Sequence, residues 1–266
     1  MSKQLIWVVL LLLGSLISAE TSQANGPTTI YTVTFESVWS QSSHNPTSIP
    51  LPTNDHWSRL VGTTHKSGTT FWENGGIATN GIRRMAEWGW NTPLNDEVDV
   101  AIGAGNAYEW VEFPSSLGTA AGTLTANITV HSDYPHLTLV SMIAPSPDWF
   151  IGVNGLALQD SNGNWEPSIT VDLYPYDAGT DAGATFEAAN DENLGNPITR
   201  LQSVTPFNSS PLGTLTLTQQ LPPTAVSLNS AETATEGIPV YGLATLFILI
   251  ALTLYRVMTV ARSKPY

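Results

Sequence analysis

The 266-residue chain contains no cysteine, and only 12% of its residues are charged. The first absence excludes a disulfide framework and any cysteine-ligated zinc or iron–sulfur site. Cations are scarcer still: nine lysines and arginines stand against 22 acids, and every acid lies between Glu20 and Glu236. Only Arg59, Lys66, Arg83, Arg84 and Arg200 fall in that interval, which leaves it about 17 excess negative charges. Such a surface repels phosphate backbones, which argues against nucleic acid as a partner, and it attracts divalent cations. Neither an HExxH pair, a GxSxG elbow, a phosphate loop nor a dinucleotide fingerprint occurs. Glu87, Glu109 and Glu112 are available as paired carboxylates for polysaccharide hydrolysis, but nothing in their spacing fixes the separation that chemistry needs. The chain therefore reads as a non-enzyme, with a polysaccharide-active enzyme or a calcium-dependent carbohydrate-binding module as the alternatives.

Long hydrophobic runs occur only at the two ends. Residues 1–24 read as a signal peptide: Lys3 opens it, "LIWVVLLLLGSLI" is the apolar stretch, and small residues follow at which cleavage can occur. Near the other end, "IPVYGLATLFILIALTLY" carries no charge and precedes Arg256, Arg262 and Lys264. Residues 238–260 are long enough to cross a bilayer, and the basic residues of 261–266 place that end on the cytoplasmic side. The same tail resembles bacterial C-terminal sorting tails, so a permanent membrane anchor and a processed tail both fit. "LPPTAVSLNSAETATEG" has no apolar period, and residues 222–237 read as a flexible linker. The expected product is a domain over 25–221, exported and displayed at the cell surface.

Within that domain the dominant signal is alternation. "IYTVTFESVW" sets Tyr31, Val33 and Phe35 against Thr32, Thr34 and Glu36, and "TLTANITV", "HLTLVSMIA", "SITVDLYPY" and "GTLTLTQQL" behave alike. Period two, rich in Thr, Val and Ile and bounded by Gly, Pro and Asn, predicts half-buried strands and an all-β antiparallel sandwich. Two short helices interrupt it. Asn80 is placed to cap "GIRRMAEW", which Gly89 ends, and Thr92 to cap "PLNDEVDVAI", with Asp96 and Glu97 near the positive end of the dipole.

Two stretches raise a chemical question, "PSPDWF" at 145–150 and "YPYDAGTD" at 174–181. Asp148 stands among prolines and aromatics with no arginine or lysine nearby in sequence, and a buried carboxylate needs a partner. Asp177 and Asp181 flank Gly179, which permits a tight bend. If the strands before these loops are neighbours, the three aspartates meet, and hard cations such as calcium take oxygens of this kind. On spacing alone the simpler reading is two turn aspartates bonding their own backbone and one solvated carboxylate. "DSNGNWE" from Asp160 also begins like a calcium loop, but Trp165 stands where glycine is required and Val171 where the closing Glu should be. Asn162-Gly163 between alternating runs instead predicts a hairpin turn. His44, His56, His65, His131 and His136 have no metal-ligand spacing and read as structural. Most of the tryptophans are expected in the core, although an exposed pair would suit stacking on sugars.

"TVTFESVWSQSSHN", "HWSRLVGTTH", "ATNGIRRMAEWG", "SMIAPSPDWFIGV" and "LYPYDAGTDAGATF" together resemble the spondin domain, over about residues 28–221. That resemblance implies a C2-like antiparallel β-sandwich binding calcium at one end, with Asp148, Asp177 and Asp181 as metal ligands. It also implies a noncovalent role in adhesion or recognition of a surface ligand, either glycan or protein. The chain departs from the animal members in lacking their cysteines and the thrombospondin repeats. Where some relatives have a further acidic ligand, "NITV" offers only Thr129.

Overall fold

The computed structural model describes residues 28–43 and 49–221. The expected signal peptide, linker and transmembrane or sorting segment lie outside the described residues. Among the described residues, no helix is long and apolar enough to cross a membrane.

The alternation becomes two antiparallel sheets. The first has the order β5–β1–β11–β8, formed by Ala121–His131, Thr28–Val38, Gly213–Gln220 and Ser168–Leu173. Its central strand β1 turns Tyr31, Val33 and Phe35 fully inward, and β11 adds Leu215 and Leu217. The second sheet runs β10–β9–β7–β6–β3–β4. Its strands are Thr199–Arg200, Tyr176–Asp177, Trp149–Ala157, His136–Ala144, Val61–His65 and Ala107–Glu112, and β2 (His56–Trp57) pairs with the end of β6. The inner faces meet in one core that includes Trp57, Leu137, Leu139 and Ile151 from the larger sheet. Trp57 anchors it, packing edge-on against Phe35 and Trp39 while its indole N–H donates to the Ala120 carbonyl at 2.7 Å. The sandwich is the expected one.

The larger sheet differs from the expectation in one respect. β6 was predicted half-buried, yet Leu137 to Ala144 are all buried. The cause is α1 (Asn80–Trp88), whose Ile82, Met85 and Ala86 cover Val61, Val140, Met142 and Phe150 on the outer face. A strand covered on both faces has no solvent side to leave polar.

Both helix starts are also corrected. The α1 cap is Thr79, one residue before Asn80, and its hydroxyl accepts from the Ile82 N–H at 3.2 Å. For α2 (Leu94–Gly103), Pro93 rather than Thr92 precedes the first turn and no side chain caps it. Glu97 serves the other helix instead: its carboxylate accepts from the Gly81 N–H and the Thr79 hydroxyl, each at 2.7 Å. An anion at the positive end of α1 is favourable, and it ties the two helix starts together. Gly89 ends α1 as expected, in the left-handed region at φ 66°.

Candidate metal centre

The centre begins with strand pairing. β6 runs into Pro145, the chain turns through Asp148, and β7 returns from Trp149. On its other side β7 pairs with β9, which sets Trp149 opposite Asp177. The Ala178 N–H then donates to the Asp148 carbonyl at 3.1 Å, so the two loops touch. Gly179 makes the next bend at φ 73°, where a side chain would be strained and its Cβ would overlap the Asn196 carbonyl. The bend folds the following residues back over Asp148. Its Oδ2 accepts three hydrogen bonds: from the Thr180 N–H at 2.7 Å, the Thr180 hydroxyl at 3.2 Å and the Asp181 N–H at 3.1 Å.

The other oxygen is different. Asp148 is 0% exposed, and its Oδ1 is buried with no hydrogen-bond partner. The next residue, Trp149, is itself buried and packs edge-on against Phe186 and Phe207, with ring centroids 5.3 Å apart in each case. Burial in these surroundings, reinforced by the negative charge of Asp177, pushes the Asp148 carboxyl from 3.8 up to about 7, against the pull of its three donors. Asp177 is raised as well, chiefly by burial and against the Gly179 N–H that donates to its Oδ1 at 2.8 Å. Two carboxylates thus crowd one poorly solvated place. Among the described residues, no lysine, arginine or histidine forms an ion pair with Asp148, Asp177 or Asp181.

Asp181 is brought to the same loop but is used otherwise. Its Oδ1 accepts from the Gly183 N–H at 2.7 Å and its Oδ2 from the Asp191 N–H at 3.0 Å. With Asp177 it lines a groove of about 370 Å³, while Asp148 lies buried behind. Among the described residues, no group of three or more histidine, aspartate or glutamate side chains is gathered as a finished cage. A cation's fit therefore rests on fewer side chains. The orphaned Asp148 Oδ1 and the Asp177 carboxylate suit a divalent ion, and Asp181 keeps spare lone pairs on the groove wall.

Sequence reasoning missed two residues. Thr180 gives Asp148 two of its three hydrogen bonds, and its place inside "DAGTD" was the available signal. Arg83, distant in sequence, pairs with both Glu87 and Glu192, and Glu192 bridges Asp181 through the backbone. A guanidinium thus reaches this end of the domain already committed to two other acids. Thr129 plays no part in this loop contact: it sits on β5 in the smaller sheet, opposite Ile30, and the strand entering Pro145 is β6. Two smaller expectations can be followed at Asp160 and His65. Asp160 accepts from the N–H groups of Asn162 and Asn164 at 2.8 and 2.9 Å within a tight turn closed by a single Gln159–Trp165 bridge, but the runs on either side become β7 and β8 of different sheets rather than the paired strands of the expected hairpin. His65 is a buried structural histidine bonded to Thr138 Oγ1 at 2.8 Å and to the Lys66 carbonyl at 2.9 Å.

The chain is 34% identical over 193 residues to Spondin-2 of Rattus norvegicus, a match covering 70% of this chain and 57% of that protein. It is 36% identical over 163 residues to Spondin-2 of Homo sapiens, covering 60% and 48% respectively. Spondin-1 of Gallus gallus is 31% identical over 165 residues, which is only 20% of its length. The chain thus spans about half the length of the spondin-2 relatives and far less of spondin-1. The Spondin_N family model matches residues 29–212, which hold the larger sheet, the smaller sheet up to β11 and all three aspartates, and the chain belongs to that family.

Proposed function

We propose that this domain is an exported, non-catalytic recognition module of the adhesion type, with calcium fixing the loops at one end. Family membership supports the recognition role. The observation that carries the calcium reading is Asp148, a fully buried carboxylate whose second oxygen has no partner and whose ionisation is further opposed by the charge of Asp177. A divalent cation held by Asp148 and Asp177, with Asp181 at the groove wall and carbonyls or water completing the set, removes that repulsion. Loop oxygens of irregular geometry suit calcium better than magnesium, which demands a near-ideal octahedron. The module's position outside the cell rests on the signal-like residues 1–24. Its retention there rests on residues 238–260, as a span or a processed tail.

The test is calorimetry of the full chain in calcium and in chelator. Binding to the folded state alone stabilises by mass action, about 2.7 kcal/mol at a calcium concentration a hundred times Kd. A clear rise in melting temperature is expected for the wild type, and most of it should disappear in Asp177→Asn. Equal melting temperatures with calcium and with chelator would overturn the metal assignment and leave the recognition role on family membership alone.

A further inference from the structure

The sequence "EWGW" at 87–90 places two tryptophans across a helix stop. Gly89 turns into the left-handed region, donates its N–H to the Met85 carbonyl at 2.9 Å, and lets the Trp90 N–H reach the Arg84 carbonyl at 3.3 Å. The turn is built into the domain, because a Cβ at Gly89 would press on Ser58. Both indoles are thereby left outside. Trp88 is 51% exposed and Trp90 56%, whereas Trp39, Trp57, Trp72, Trp149 and Trp165 are buried. The two exposed rings lie with centroids 6.0 Å apart and planes inclined by 31°. The Trp88 N–H donates to Glu87 at 3.1 Å, so that ring has a fixed azimuth.

Leaving two large aromatic rings in water forgoes one of the larger gains available on folding. These two also line a groove of about 650 Å³, formed where α1 ends beside β2 and the end of β6. Its other walls mix polar side chains, among them His56, Thr92 and Ser116, with the apolar Met142 and Ala144. That volume, with flat aromatic area and a few hydrogen-bonding groups, is typical of a small-molecule site. The charge of the groove narrows the ligand class. Arg59 in its wall is paired with Glu112, and Arg84, over the Trp90 ring at 6.0 Å, lies 3.6 Å from Glu87. Both cations are neutralised within an acidic protein, so no free positive charge is offered to an anion.

We infer that this groove binds a neutral saccharide chain, with Trp88 and Trp90 as a stacking platform for the C–H faces of the sugar rings. The polar walls hold its hydroxyls. This inference rests on the recognition reading above and supplies its ligand class. It does not depend on the calcium site.

The experiment presents the full chain with immobilised β-glucan, α-mannan and chitin oligosaccharides, with heparin as the anionic probe and a proline-rich peptide as the other occupant of aromatic grooves. Intrinsic tryptophan fluorescence is followed alongside. At least one neutral glycan is expected to bind and to perturb the fluorescence. Binding should weaken about tenfold or more in Trp90→Ala, recover in part in Trp90→Tyr, and stay unchanged in Ile77→Ala, which removes an exposed side chain elsewhere. Circular dichroism confirms that each variant is folded, and Trp90 alone decides the matter if Trp88→Ala is not. The inference is overturned if no neutral glycan binds, if binding survives loss of Trp90 unchanged, or if only heparin or the peptide is captured. Indole-dependent binding accompanied by release of reducing ends would support the groove while overturning the non-catalytic reading.

Discussion

Two turns in this domain are made from the same materials, an acid and a glycine at positive φ, and their acids have opposite fates. In the Asp160 turn, Gly163 adopts φ 81° and the aspartate lies at the surface, bonded to the backbone and side-chain amides of Asn162 and Asn164. Those donors hold its carboxyl below the ordinary value. In the loop that covers Asp148, Gly179 adopts φ 73°, yet the turn packs against Asn196 and its N–H groups point down to a carboxylate 0% exposed. Donor number does not separate the two acids. Asp148 has three donors and still resists ionisation, because burial and the Asp177 charge outweigh them. An aspartate that completes its own turn in water needs nothing more. One carried inside by a strand pair, with a second acid beside it, calls for a cation or a proton.

The largest expected effect comes from forcing the buried loop open. Gly179→Ala combines left-handed strain with overlap on the Asn196 backbone, where no flexible side chain can yield. Together these cost roughly 2–5 kcal/mol, and they dislodge the Thr180 donors from Asp148. Denaturant unfolding should show this loss, or a failure to fold. A loss under about 2 kcal/mol would mean that the loop is not built around its backbone contact.

The next effect is a pH dependence with a definite sign. Without a divalent ion, the folded Asp148 holds its proton up to about pH 7, whereas an unfolded aspartate releases it near 3.8. The folded state then binds more protons, so the stabilisation is complete below about pH 4 and is lost as pH rises through about 7. Three pH units of difference correspond to about 4 kcal/mol. Asp177, raised in the same direction, steepens the fall. In chelator the melting temperature should therefore drop between about pH 5 and pH 8. In calcium the carboxylates are ionised in the folded state and the drop should be absent. Identical pH profiles in calcium and chelator would remove the distinction between the two turns.

How much of this was legible in the sequence depends on the range of the interaction. The strands, the Asp160 turn and the loop aspartates are set by alternation and turn chemistry within a few residues, and all were readable, although the turn carries the chain from one sheet to the other instead of pairing β7 with β8. The convergence of Asp148 with Asp177 depended on β7 pairing with β9, which the sequence allowed without fixing. Burial of β6 on both faces was not readable, because it is imposed by α1, some fifty residues upstream. Glu97 capping the other helix, and Arg83 reaching Glu192, are likewise contacts between distant segments. The exposure of Trp88 and Trp90 was not readable: the sequence placed Gly89 at the end of α1, but only the packing of that helix leaves its end in water rather than in the core.

The smallest effects belong to the surface turn, and they test whether the comparison reflects surroundings or residue type. Gly163 has the same sign of φ as Gly179, but a Cβ there would meet nothing within 4 Å. Gly163→Ala should therefore cost only the left-handed strain, about 1 kcal/mol. Asp160→Ala should lower the melting temperature less again, since water replaces the acceptor for the released N–H groups. Both losses should be the same in calcium and in chelator. If Asp160→Ala instead abolished a calcium-dependent rise in melting temperature, the "DSNGNWE" turn would be the ion site after all. Asp148 would then be a protonated core acid, its Oδ1 carrying the hydrogen that buried acids retain when no cation arrives.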